Sequence, residues 1–254
     1  MPGTNTYLLG TGPKRLLIDT GEGVPAYSPL LSSVLESENC TIGPVLLTHW
    51  HHDHVDGIPQ VTELCPGATF SKCFNSDDER DYLPIRDGDE FSVPGAAVRA
   101  VHTPGHTTDH MAFFVQEPET GGLFTGDSVL GQGTAVFESL GTYISSLKKQ
   151  LALNPITIYP GHGPVVTNAK AKLQEYISHR QQREDEIINV FSTEENRELS
   201  PMDVVKVIYA KYPQSLWPAA ERGVILHLEK LRDEGKAKET GSGKWILTKS
   251  QSSL

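Results

Sequence analysis

Seven residues constrain this chain more than any others: Thr48-His49-Trp50-His51-His52-Asp53-His54, which carries the pattern H-x-H-x-D-H. Histidine is a poor strand former and costly to bury unpaired, so ordinary packing does not call for such a cluster. Two imidazoles at alternate positions can bind one ion, while Asp53 and His54 turn toward a neighbouring one. Imidazole nitrogen suits zinc, and an added carboxylate suits a borderline divalent ion. An exposed His-rich loop is the structural alternative. If the segment is extended, His52 points away from its neighbours and is not a ligand.

Three further residues extend the set. His106 lies in Thr103-Pro104-Gly105-His106-Thr107, Asp127 in Thr125-Gly126-Asp127-Ser128, and His162 in Tyr159-Pro160-Gly161-His162-Gly163-Pro164. Taken singly, His106 and Asp127 read equally well as polar turn or cap residues. Taken with the first motif, the ordered set of H-x-H-x-D-H followed by His, Asp and His is highly specific. His49, Asp127 and His162 each follow a strand-like run (residues 45–47, 123–124 and 157–159), and functional groups gather at the ends of rigid strands.

Short β-like runs alternate with helical patterns through the first two-thirds. Residues 4–9 and 15–18 read as paired strands joined by a Gly-Pro turn, and residues 45–47, 97–101, 111–116, 122–124 and 157–159 as further strands. Helical spacing falls at residues 26–36, 58–64 and 139–151. From residue 169 a long polar helix to residue 191 begins a second unit. The next helix opens on Ser200-Pro201-Met202-Asp203, with an N-cap Ser, Pro at the first helical position and an acid at the third. A helix over 218–234 and a hairpin over 236–248 complete it. The expected architecture is α/β (α+β), with a catalytic domain over residues 1–168 and a helical, winged-helix-like unit over 169–254. That unit is either an interaction module or a cap that never touches substrate.

Composition narrows the function. No apolar run approaches the ~20 residues of a membrane span, and the first ten residues lack the layout of a signal peptide. A cytoplasmic location is expected for the chain as it stands, and a mitochondrial one if a targeting segment precedes it. Cys40, Cys65 and Cys73 are odd in number and form no CxxC, which argues against disulfides or a Cys-ligated zinc. The net charge of −10 disfavours nucleic acid at first sight. It is unevenly spread: residues 1–168 hold 8 Lys+Arg against 19 Asp+Glu, and residues 169–254 hold 14 against 13. Lys170, Lys172, Arg180 and Arg183 of the second part would be candidate contacts if the substrate were RNA.

These motifs resemble the metallo-β-lactamase superfamily, whose αββα sandwich sets them at one edge of two sheets. By that resemblance His49, His51 and His106 hold one ion, Asp53, His54 and His162 the other, and Asp127 bridges them. The cofactor implied is two Zn2+ per chain. The stretches GTNTYLLGTGPKRLLIDTGEG, TPGHTTDHMAF, GDSVLGQGTAVFESL and YPGHGPVVTNAKAKLQEYISHRQQRE are similar to the lactamase-beta-2-like group. That group includes animal single-strand-specific endoribonucleases and, more distantly, fungal thioesterases that release polyketides from carrier proteins. Relatives normally carry a strand or two before the GTNTYL segment, so either the gene model starts late or an edge strand is missing.

Two such ions would lower the pKa of a shared water toward ~7, and the zinc-bound hydroxide would attack phosphorus in RNA or carbonyl carbon in a thioester. Asp53 would orient it as well as bind metal. His110 is a candidate for substrate contact or proton transfer, with support of a ligand as its other reading. Asp19 is expected to accept a hydrogen bond from a ligand imidazole. The resemblance implies an endoribonuclease on single-stranded RNA, with a thioesterase or acyl hydrolase acting on an acyl-thioester as the alternative. No membrane partner is expected, and a homodimer is left open.

Overall fold

Alternating apolar residues in short runs build two sheets, and the helices between the runs cover them. The structure, a computed structural model, describes residues 3–74, 80–115, 121–193 and 198–248. It divides into two units, Met1–Glu138 with Ser145–Gln174, and Ser139–Ile144 with Glu175–Leu254.

In the first unit, β1 (Tyr7–Leu9) pairs antiparallel with β2 (Lys14–Ile18). α1 (Tyr27–Ser37) leads to β3 (Thr41–Leu46), parallel to β2. The short α2 (His52–Val55) and α3 (Ile58–Leu64) lead to β4 (Thr69–Lys72), parallel to β3. With β5 (Leu83–Pro84), these strands form a sheet of order β1-β2-β3-β4-β5. β6 (Glu90–Val93), β7 (Ala96–His102), β8 (Met111–Val115) and β9 (Gly122–Gly126) follow as antiparallel neighbours. After α4 (Leu140–Ala152), β10 (Thr157–Pro160) pairs parallel with β9, giving the order β10-β9-β8-β7-β6.

Leu16 and Ile18 of β2 point into the buried layer between the sheets with Leu46, Val98, Ala100, Met111, Phe113 and Phe124. Leu17, between them in sequence, faces the other way and packs with Leu31 and Leu35 of α1 and Val61 of α3. Val101, Ala112 and Leu123 line the far face of the second sheet, against Phe114 and Leu153. The result is the expected αββα layering.

Two local readings change. β3 begins at Thr41, earlier than residues 45–47, and holds Gly43-Pro44 within the strand. The β2–β3 register jumps there, from Arg15↔Ile42 to Leu17↔Val45, and such an irregularity tolerates a Pro that has no N–H to donate. The segment after His51 is helical and not extended, so the argument from strand alternation about His52 does not apply. Residue 116, expected in β8, lies outside the described residues.

The second unit holds most of α5 (Ala169–Thr193), then α6 (Pro201–Ile208), α7 (Trp217–Asp233) and the hairpin β11 (Ala237–Glu239) and β12 (Trp245–Leu247). α6 starts in a full capping box: the Asp203 N–H donates to Ser200 Oγ, and the Ser200 N–H to the Asp203 carboxylate. Ile187, Phe191, Val204, Leu228, Leu231 and Trp245 form its core. This packing engages two of the candidate RNA contacts. Arg180 is buried, with its guanidinium over the Tyr143 and Tyr176 rings. Arg183 stacks on Tyr209 and pairs with Glu186 at 2.7 Å. Lys170 remains exposed and Lys172 half-buried. No helix of the described residues is long and apolar enough to cross a membrane.

Candidate metal centre

Strand ends deliver the functional side chains. β3 runs into Thr48 and His49, β9 into Asp127, β10 into His162, and the β7–β8 connection carries His106 and His110. The structure brings all seven expected ligands together in three overlapping groups: His49 with His51 and His106, His49 with His54 and Asp127, and Asp53 with His54 and His162.

The first group is a triangle of nitrogens. His49 Nε2 is 2.9 Å from His51 Nδ1, and His106 Nε2 is 3.2 Å from His49 Nε2 and 3.1 Å from His51 Nδ1. Nitrogens bound at ~2.0–2.1 Å to one tetrahedral ion stand ~3.3–3.4 Å apart, so the triangle fits a cation with little adjustment. Outer contacts set the tautomers. His106 Nδ1 donates to the Val136 carbonyl at 2.7 Å, and His49 Nδ1 lies 3.0 Å from Thr48 Oγ1. Each leaves Nε2 as a lone pair facing the cluster. Burial, reinforced by the neighbouring imidazoles, pushes the His49 pKa well below its ordinary value, and burial first also lowers that of His51. Neutral imidazoles are what a cation needs.

The other two groups share His54 and together form a second, carboxylate-rich group. His162 Nε2 is 3.1 Å from Asp53 Oδ2 and 3.3 Å from Asp127 Oδ2, and His54 Nε2 is 3.4 Å from Asp127 Oδ1. Asp127 Oδ2 also lies 3.8 Å from His106 Nε2, so this carboxylate stands between the two groups. His54 Nε2 and Asp127 Oδ1 are buried and make no hydrogen bond, an orphaned donor–acceptor pair that a cation would satisfy. Hydrogen bonds from His162 hold the Asp53 carboxyl well below its usual range. Burial raises the Asp127 carboxyl, but His162 and His54 outweigh it and the net shift is strongly downward. Contacts to Asp127 and Asp53 raise His162 to about 9. Burial opposes the charge on His54, yet Asp19 and Asp127 lift it to about 10. The carboxylates thus demand positive charge here, and the residues fit divalent metal.

Asp19 takes the part expected of it. Its Oδ2 accepts from His54 Nδ1 at 2.8 Å and from Thr48 Oγ1 at 2.9 Å, and its Oδ1 from the Thr48 N–H at 2.8 Å. It sits at φ +58°, a left-handed conformation that Asp tolerates better than most residues. His110 is fully buried, with Nδ1 2.8 Å from Thr103 Oγ1 and Nε2 accepting the Asp127 N–H at 3.3 Å. Its contact with the centre runs through the Asp127 N–H, which favours the reading of support for a ligand over that of substrate contact or proton transfer. His52, first in α2, is exposed and belongs to none of the three groups.

Sequence reasoning passed over the N-terminal strap. Thr4 Oγ1 donates to Asp53 Oδ2 at 3.2 Å, and the Asn5 amide donates to the Pro160 and Gly163 carbonyls at 3.0 and 2.8 Å. An isolated bridge pairs Thr4 with His162. The GTNTYL stretch was the available signal, but a Thr in a strand-like run announces no role. A cavity of about 530 Å3 opens beside the centre, lined by His51, Asp53, His106, Asp127 and His162. Its remaining wall includes Leu130, Ala135, Val136 and Phe137, with Glu22 and Glu138 as its other carboxylates.

Known proteins resemble this chain. Residues 2–162 match the metallo-beta-lactamase superfamily, and residues 200–245 the beta-lactamase associated winged helix domain. A beta-lactamase-like protein 2 homolog of Drosophila melanogaster is 46% identical over 95% of this chain and 86% of its own length. The lactamase-like protein notP of an Aspergillus species is 40% identical over 81% of this chain and 63% of its own. Among solved structures, a metallo-beta-lactamase family protein of Thermus thermophilus shares the fold at a TM-score of 0.72 and 21% identity, covering 96% of this chain and 94% of its own. The ligand groups, the two-sheet layering and these similarities agree, and the chain belongs to the metallo-beta-lactamase superfamily, whose members are generally metal-dependent hydrolases.

Proposed function

We propose that this protein is a binuclear zinc hydrolase that cleaves single-stranded RNA as an endoribonuclease. The observation that carries the RNA reading is the extent of the likeness to the beta-lactamase-like protein 2 homologues. It covers 95% and 92% of the chain for the fly and nematode proteins and takes in the winged-helix unit. Helix-turn-helix architectures of this kind are frequent nucleic-acid readers, and the second part of the chain lacks the acidity of the first.

Zinc held by these groups would supply Lewis acidity and a water reactive at neutral pH. His49, His51 and His106 present ring nitrogens on one side, and Asp53, His54 and His162 form the other. Asp127 spans them, placed by His110 through its backbone N–H. Asp53, with Oδ2 held by Thr4 and His162, faces the cavity and orients the attacking water. Asp19 keeps the proton of His54 on Nδ1 and so fixes the direction of Nε2.

A second reading, acyl-thioester hydrolysis, is favoured by the cavity wall. Leu130, Ala135, Val136 and Phe137 suit an acyl chain, while Glu22 and Glu138 repel successive phosphates. Parallel assays of the purified chain on a single-stranded oligoribonucleotide and an acyl-thioester, each with and without chelator, decide between them. Chelator-sensitive RNA cleavage supports the first; thioester turnover with intact RNA replaces it by the second.

A further inference from the structure

Lys72 is among the largest fully buried side chains of the described residues, and nothing in the hydrolytic reading uses it. It ends β4 in the first sheet. Its Nζ donates to Asp109 Oδ2 at 2.6 Å and to the Cys73 carbonyl at 3.1 Å. Asp109 is buried equally deeply, and its Oδ1 accepts from Thr107 Oγ1 at 2.7 Å. Asp109 therefore sits in the connection between β7 and β8, in the second sheet, between His106 and His110. We propose that Lys72 is a positioning residue for the metal centre: through Asp109 it holds residues 103–110, and with them His106 and His110, against the first sheet.

The energetics of buried ion pairs point the same way. Desolvating both charges cancels most of their attraction, so an apolar pair of similar size would stabilise the fold as well or better. What the ion pair adds is direction. A 2.6 Å charge-assisted bond sets the distance between two segments more narrowly than apolar contact does. Both segments serve the centre. The β4 side is tied to the ligand run, since the Leu47 N–H donates to the Ser71 carbonyl at 2.9 Å. On the other side, residues 103–110 aim His106 Nε2 at the nitrogen triangle and His110 Nε2 at the Asp127 N–H. A displaced turn would open the triangle and loosen Asp127 together.

The test uses the full chain, stripped with chelator and titrated with Co2+, whose visible absorption reports its coordination. Two variants are compared with wild type, Asp109→Asn and the double change Lys72→Met with Asp109→Asn, which removes both charges and keeps an acceptor for Thr107. Thermal unfolding of each stripped protein is recorded in parallel. Loss of an outer partner typically weakens metal binding about 10–100-fold. That loss is expected here in the folded variants, with an altered cobalt spectrum. A folded variant with wild-type cobalt affinity and spectrum overturns the proposal. Failure of both variants to fold also overturns it, because the pair then holds the whole domain and not the turn.

Discussion

His54 Nε2 and Asp127 Oδ1 face each other across 3.4 Å, both buried and neither hydrogen-bonded. Side chains left so in a protein interior are costly unless something else engages them. The backbone of Gly161 closes this gap. A Cβ there would meet Asp127 Oδ1 at 2.5 Å and His54 Cε1 at 2.9 Å. Gly161→Ala should therefore displace both ligands and cost about 1–3 kcal/mol through overpacking. Its bound metal, measured by atomic emission, should fall with its activity. Wild-type metal content in that variant would show the gap to be of no consequence.

The Thr4 hydroxyl reaches the centre through Asp53. Thr4→Val keeps the shape and removes the hydroxyl, so metal affinity should drop about tenfold, within the range seen for outer partners. Isothermal titration of the stripped variant reads this directly, and an unchanged affinity would leave the N-terminal strap without a role in binding.

Protons and metal compete at the carboxylate-rich group. In the metal-free protein His162 and His54 are raised from 6.5 to about 9 and about 10. Their contacts with Asp53, Asp127 and Asp19 stabilise the metal-free fold fully below pH 6.5, and this is lost as pH rises through 9 and 10. An incoming cation must displace those protons. Metal binding at pH 7 should release protons and tighten with rising pH. Calorimetry in two buffers of different ionisation enthalpy measures the release; identical heats in both would refute it.

If RNA is the substrate, the exposed Lys170 and the half-buried Lys172 of the candidate basic set are the positions to test. Replacing both with Ala should flatten the salt dependence of oligoribonucleotide binding, by roughly 0.7 in log–log slope for each phosphate no longer neutralised. An identical slope would place the RNA elsewhere.

The converging ligands are legible in the sequence because metal chemistry asks for residue types that packing does not. His49, His51, Asp53 and His54 stand out within six positions, and they lend meaning to His106, Asp127 and His162, which are ambiguous alone. Strand β6 shows its alternation in Glu90-Phe91-Ser92-Val93 yet went unread, and β4 carries too few apolar residues to declare itself. Pro44 hid the first half of β3, since Gly-Pro ordinarily marks a turn. The orientation of His52 depended on backbone conformation, which the motif alone does not specify. The contact from the Val136 carbonyl to His106 leaves no trace in the sequence, because any residue can supply a carbonyl. His110 stands out in the sequence as a residue of interest, but its burial and its bond to the Asp127 N–H are visible only in the structure.

The measurement that bears hardest on a two-ion centre is metal content and activity of wild type and Asp127→Ala, purified side by side. Wild type should hold close to two divalent ions per chain. The variant, deprived of the carboxylate shared by both groups, should hold fewer and lose hydrolysis by more than about 100-fold, beyond what outer partners contribute. A variant with full activity, or a wild-type chain that hydrolyses its substrate in excess chelator, would contradict it.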